Sequence, residues 1–124
     1  MECRDVAIER VKAALAACEE LRAEGMDLVL VARTDCRNAA EHGGFDEALA
    51  RCQAFASLGA EVVYAEGLAG EEEMRALNVA LASYGCHTML AQVHHEGTAR
   101  TAGHALFVPA TLTYECGHGR GAWQ

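Results

Sequence analysis

Three polar side chains stand where apolar runs end. Arg33, followed by Thr34 and Asp35, closes Leu28-Val29-Leu30-Val31-Ala32, Glu66 closes Val62-Val63-Tyr64-Ala65, and Gln92 closes Met89-Leu90-Ala91. A guanidinium can grip a carboxylate or phosphate through two parallel hydrogen bonds. A carboxylate can accept a hydrogen bond beside it, and an amide can donate one. In parallel α/β folds the carboxyl ends of strands are where ligands sit. The chemistry Arg33 suggests is recognition of a carboxylate or a phosphate. Two plainer readings compete with it: Arg33 can be satisfied by Asp35 or a neighbouring carboxylate, and Glu66 can cap the next helix.

The elements that must deliver these groups can be read from periodicity. A run as apolar as Leu28–Ala32 reads as a strand buried on both faces, as in a parallel sheet. Ile8, Val11, Leu15, Cys18 and Leu21 recur at three- and four-residue steps and predict a helix over Val6–Ala23, with Asp5 as N-cap and Gly25 as its stop. A strand over Asp27–Ala32 comes next, then a polar loop from Thr34 to Gly44. Phe45, Ala48, Leu49, Cys52, Phe55 and Ala56 mark a second helix stopped by Gly59, and Glu61–Ala65 a second strand. Glu71, Glu72 and Glu73 open a third helix, where negative charge suits the N-terminal dipole. Met74, Leu77 and Leu81 form its apolar face, Gly85 ends it, and Thr88–Val93 is a third strand. Alternation of this kind predicts an α/β fold with a parallel sheet of three to four strands and flanking helices, the fourth strand being Ala105–Val108. Periodicity alone does not choose between an open sheet and a barrel. The pattern divides the chain into residues 1–93, the strand–helix segment, and 94–124, a divergent and glycine-rich segment.

Ala32-Arg33-Thr34-Asp35, Gly44-Phe45-Asp46-Glu47-Ala48 and Leu58-Gly59-Ala60 leading to Ala65-Glu66-Gly67 occur in order and at matching distances. Over about Asp5 to Val93 the chain resembles the isocitrate lyase and phosphoenolpyruvate mutase superfamily, methylisocitrate lyases in particular. The resemblance implies part of a (β/α) TIM-type barrel, the C-terminal half. It implies enzymes that act on small 2-oxo or hydroxy acids by Mg²⁺-assisted carbon–carbon cleavage or phosphorus–carbon rearrangement. It also implies that Arg33 binds a substrate carboxylate or phosphonate and that Glu66 faces the substrate. Gln92 stands where much of the family has asparagine, a departure that changes its reach. The family's Mg²⁺ carboxylates and its Lys-x-Cys-Gly-His-like mobile loop precede the Ala-Arg-Thr-Asp strand. Only about thirty residues precede it here, and they read as one helix. The expectation is therefore substrate-binding residues Arg33, Glu66 and Gln92, with no catalytic residue and no metal ligand on this chain. Glu115-Cys116-Gly117-His118 echoes the mobile loop, but on the wrong side of the strand.

Composition narrows the field. A whole barrel needs roughly 250 residues; this chain has 124. It is a piece, a shrunken variant, or one part of a larger assembly. A net charge of −8 argues against nucleic acid as a partner. No apolar run approaches the roughly 20 residues of a membrane span, and no signal peptide is evident, so the chain reads as intracellular and cytoplasmic, with a targeting segment ahead of it left open. The six cysteines lack any Cys-x-x-Cys pair and read as reduced thiols. His94, His95, His104, Cys116 and His118 lack zinc spacing. Three readings stay open: a fragment of a Mg²⁺-dependent lyase or mutase with a small carboxylic acid as substrate and homo-oligomeric relatives; a non-catalytic, truncated or degenerate domain that packs on a partner; and an unrelated α/β binding domain.

Overall fold

The computed structural model describes residues 2–89. Helix α1 (Arg4–Ala23) leads to strand β1 (Val31–Thr34), and a 3₁₀ turn at Cys36–Asn38 leads to helix α2 (Phe45–Ser57). Strand β2 (Val62–Ala65), helix α3 (Glu71–Leu81), a second 3₁₀ turn at Ala82–Tyr84 and strand β3 (His87–Met89) complete the order. The three strands are parallel and lie in the order β1-β2-β3. Val31, Ala32, Arg33 and Thr34 pair with Val62, Val63, Tyr64 and Ala65, and Val62, Val63 and Tyr64 pair with His87, Thr88 and Met89. The predicted α/β class and its parallel sheet are what the chain adopts. Three helices and three strands are consistent with part of a (β/α) barrel.

The core lies on one face of the sheet. Side chains alternate across a strand, so Ala32, Val63 and Ala65 share a face. They pack with Cys52, Phe55 and Ala56 of α2 and Leu77 and Leu81 of α3. The apolar stripes read from the sequence for α2 and α3 therefore point inward. α1 contributes Ala7, Ile8 and Val11 from the margin and buries no residue fully. Polar fasteners hold it instead. Arg22 donates two hydrogen bonds to the Leu28 carbonyl, at 2.6 and 3.1 Å, and pairs with Glu61 at 2.5 Å. At the other end of the helix, Glu47 of α2 accepts from both Arg4 and Arg51.

Several predicted boundaries move. β1 begins at Val31, four residues later than the predicted start at Asp27, because pairing with β2 begins there. Arg33 and Thr34 thus lie inside the strand, not beyond it. β1 is also an edge strand among the described residues, and its residues alternate exposed and buried, so the expectation of burial on both faces fails there. Central β2 is buried at all four positions. Cys3, not Asp5, occupies the N-cap of α1, and Asp5 sits in its first turn. Within the loop before α2, Gly43 lies so close to the Cys36 and Ala39 carbonyls that any larger residue would collide with them. Cys3, Cys18, Cys36, Cys52 and Cys86 form no disulfide with one another. The proposed strand at Ala105–Val108, the histidines from His94 onward and Cys116 lie outside the described residues.

Candidate functional site

Parallel register carries Arg33 and Glu66 to one edge. Arg33 pairs with Tyr64, and one step further along β2 the Glu66 amide donates to the Thr34 carbonyl at 2.9 Å. Arg33 and Tyr64, paired on neighbouring strands, fall on the face opposite the helices, and Asp35 and Glu66 each follow the end of their strand by one residue. Four groups meet there. Arg33 Nε and Nη2 donate to the two Asp35 oxygens at 2.6 and 3.2 Å. Arg33 Nη2 lies 3.6 Å from Glu66 Oε2. The guanidinium carbon sits 5.1 Å from the centre of the Tyr64 ring, within cation–π range. The Tyr64 hydroxyl donates to Glu66 Oε2.

Sequence reasoning finds Arg33 and Glu66 but misses Tyr64. An aromatic inside an apolar strand reads as core, and Tyr64 is indeed mostly buried. Its two-residue step to Glu66 is the signal that puts both on one face. Gln92 lies outside the described residues.

The electrostatics are those of one cation between two anions. Hydrogen bonding to Asp35 raises the Arg33 pKa, with both carboxylates adding to the effect. Burial, and then the bond to Glu66, pushes the Tyr64 phenol up to about 12. Asp35 occupies the Nε–Nη2 edge, the edge that grips a planar anion, whereas Nη1 has no hydrogen-bond partner among the described residues. The plainer reading of Arg33, an arginine satisfied by its neighbour, is therefore the geometry displayed. The pair is well exposed, Arg33 at 53% and Asp35 at 62%. Such pairs typically contribute about 0–1 kcal/mol, so Asp35 can be exchanged for another carboxylate at little cost.

A cleft of about 340 Å³ opens beside the same strand end. Arg33, Thr34 and Asp35 line it from the sheet, and Arg10 and Arg51 from the helices. Arg51 donates to the Glu2 carbonyl at 2.6 Å, and Arg10 pairs with the Glu2 side chain at 2.8 Å. The size is within the range of small-molecule sites.

The described residues do not fit a divalent cation. Mg²⁺ takes oxygen ligands in near-octahedral geometry. Asp35 and Glu66 both face a guanidinium, and among the described residues no group of three acidic, histidine or cysteine side chains converges on a point. No helix among them is long and apolar enough to cross a membrane.

Comparison with known proteins adds two findings. Residues 3–110 match the family described as phosphoenolpyruvate phosphomutase. Over 58 residues the chain is 40% identical to the 2,3-dimethylmalate lyase of Eubacterium barkeri. That stretch covers 47% of this chain but 19% of the relative, so the similarity reaches a minor part of that enzyme's length.

Proposed function

Because the chain belongs to the phosphoenolpyruvate phosphomutase family, within the isocitrate lyase and phosphoenolpyruvate mutase superfamily, we propose that it is the substrate-side portion of a carbon–carbon lyase or phosphorylmutase acting on small 2-oxo or hydroxy acids. The observation that supports this most is the meeting of Arg33, Tyr64 and Glu66 at one edge of a parallel sheet. In this reading the sheet is part of a (β/α) barrel, and its helix-free face looks toward the barrel interior. A substrate carboxylate takes the guanidinium edge that Asp35 holds, or approaches Nη1. Glu66, held by the Tyr64 hydroxyl, accepts a hydrogen bond from a substrate hydroxyl. A cation of the family's chemistry would stabilise a developing enolate, but its ligands would have to come from outside the described residues.

Magnitudes set what this chain can do alone. Replacing Asp35 by a substrate carboxylate exchanges one ion pair for a similar one, so the net gain is small. We expect binding no tighter than a dissociation constant of about 1 mM, a free energy of at most about 4 kcal/mol. A positioned acid or base is commonly worth about 10²–10⁴ in rate. The arrangement of the described residues offers none, and we expect the chain by itself to turn over no oxo acid.

The second reading, a non-catalytic domain that packs on a partner, is favoured by the same Asp35 contact. One experiment separates the two. The purified chain is titrated with oxalate and with 2-oxo acids, then assayed for cleavage with and without Mg²⁺, as wild type and as Arg33→Ala. Millimolar binding that disappears in Arg33→Ala supports the substrate-side reading. Binding indifferent to Arg33, or none in the wild type, supports the packing domain.

A further inference from the structure

The loops after β1 and β2 are joined by contacts that the reading of Arg33 and Glu66 does not use. Arg37, in the 3₁₀ turn after β1, donates through Nη2 to Glu73 Oε1 at 2.8 Å and through Nε to Oε2 at 2.9 Å. Glu73 lies in the first turn of α3, and its Oε2 also accepts the Ala69 amide at 2.8 Å. Both side chains are about three-quarters buried. The guanidinium, and to a lesser degree the Ala69 amide, holds the Glu73 carboxyl below its ordinary range. One residue further along the same turn, the Asn38 amide lies against Gly67, where a side chain larger than hydrogen would overlap it. Gly67 has φ +77°, a conformation glycine adopts without strain. Thus two adjacent residues of one loop meet both ends of the other, Asn38 by packing at Gly67 and Arg37 by hydrogen bonds at Glu73.

We infer that Arg37 and Glu73 are positioning residues: their ion pair straps the β1–α2 loop to the β2–α3 loop and so holds the wall of the site beyond Arg33 and Glu66. The inference rests on the proposed substrate-side reading. Its physical basis is the make-up of the strapped segment. The strand ladder fixes Glu66 through its amide, but the next four residues include Gly67 and Gly70, which give the chain the freedom to leave the sheet edge. The N-cap of α3 is Gly70, which offers no side-chain cap, and Glu73 ties the helix start to the loop by reaching back to the Ala69 amide. A two-pronged arginine contact fixes direction as well as distance, which a lysine cannot do. Neither member of the strap hydrogen-bonds to Arg33, Asp35 or Glu66, so it would act through loop position alone.

The test uses the 124-residue chain with Arg37→Met, Arg37→Lys and Glu73→Gln. Glu73→Gln keeps an oxygen for the Ala69 amide and removes only the charge. Two readouts are taken: amide hydrogen exchange residue by residue, and affinity for oxalate as a stable dicarboxylate. In Arg37→Met and Glu73→Gln we expect amides 67–70 to exchange at least about tenfold faster while Val63–Ala65 keep their protection. Oxalate affinity should fall about tenfold, with Arg37→Lys between wild type and Arg37→Met. Unchanged exchange at 67–70 would overturn the strap. Faster exchange with oxalate affinity unchanged would overturn the positioning role, leaving the pair merely structural. A wild type that binds no oxalate would instead defeat the substrate-side reading, and with it the positioning role, whatever the exchange data show.

Discussion

The same three strands present two very different faces. Toward the helices, Ala32, Val63 and Ala65 meet Phe55, Leu77 and Leu81, and Phe55 is 1% exposed. On the opposite face Val31 is 38% exposed and Arg33 and His87 are open as well. Only β2, flanked on both sides, is buried throughout. The difference shows where stability and function are divided in this chain. The covered face holds the fold together by removing apolar area from water. The other face has no helix layer among the described residues and carries the charged groups. In a closed barrel the inward face is filled by layers of side chains from other strands, and in the proposed reading this is the surface such strands would meet.

The largest effect should come from the covered face. Phe55→Ala leaves a cavity among fully packed neighbours and should cost about 3–5 kcal/mol. Whole domains are stable by only about 5–15 kcal/mol, so urea titration should show this variant unfolding at far lower denaturant than wild type. Val31→Ala should stay within about 0.5 kcal/mol of wild type. A Val31→Ala loss above about 2 kcal/mol would break the comparison, because it would mean that the open face is packed in solution.

The polar fasteners repeat the contrast at smaller scale. Arg4, with Arg51 behind it, pulls the Glu47 carboxyl down from 4.5 to about 2. A carboxylate whose pKa is depressed by folding stabilises the native state above its unfolded pKa, and this contribution fades as pH falls toward the folded value. The window here runs from about pH 4.5 to about 2. Allowing for solvent screening of the Arg4 contact, the contribution at neutral pH is about 1–2 kcal/mol. Glu47→Gln should lower the thermal midpoint at pH 7 and converge on wild type near pH 2. The exposed Arg33–Asp35 pair should behave otherwise: Asp35→Asn should leave stability within about 0.5 kcal/mol while improving access to Arg33. A midpoint loss for Asp35→Asn as large as for Glu47→Gln would erase the distinction.

How far the sequence discloses this depends on the range of the interaction. The stripe Ala48, Cys52, Phe55 and Ala56 announces α2 because helix packing is written at three- and four-residue steps. The strand-end placement of Arg33 and Glu66 is likewise local. The start of β1 is not, since Leu28, Val29 and Leu30 are as apolar as Val31 and Ala32, and only the partner strand decides where pairing begins. Burial of β1 on both faces is illegible for the same reason: it needs a neighbour on each side. Arg37 and Glu73 lie 36 residues apart with no local pattern linking them. Tyr64 is hidden by its type, an aromatic that serves the core and the site together. Family membership is legible because three short motifs keep their order and distances, which single residues cannot show.

The smallest of the expected losses concerns that tyrosine. Its phenol is raised from 10 to about 12, first by burial and then by the hydrogen bond to Glu66. An acid whose neutral form is favoured by folding stabilises the native state below its unfolded pKa and loses that contribution as pH rises through the folded value. The alkaline loss attributable to Tyr64 should therefore fall between about pH 10 and 12. Tyr64→Phe keeps the ring beneath the Arg33 guanidinium and removes only the hydroxyl. At neutral pH it should cost about 0.5–1.5 kcal/mol, the net worth of one hydrogen bond. It should also flatten the stability profile above pH 10. Phenolate absorbance gives a second readout, with Tyr64→Phe identifying which transition belongs to this residue. In Glu66→Gln the transition should move toward the ordinary value without reaching it, because burial remains. If the transition does not move in Glu66→Gln, the hydroxyl does not bond Glu66 in solution, and the two ends of Tyr64 do not serve Arg33 and Glu66 together.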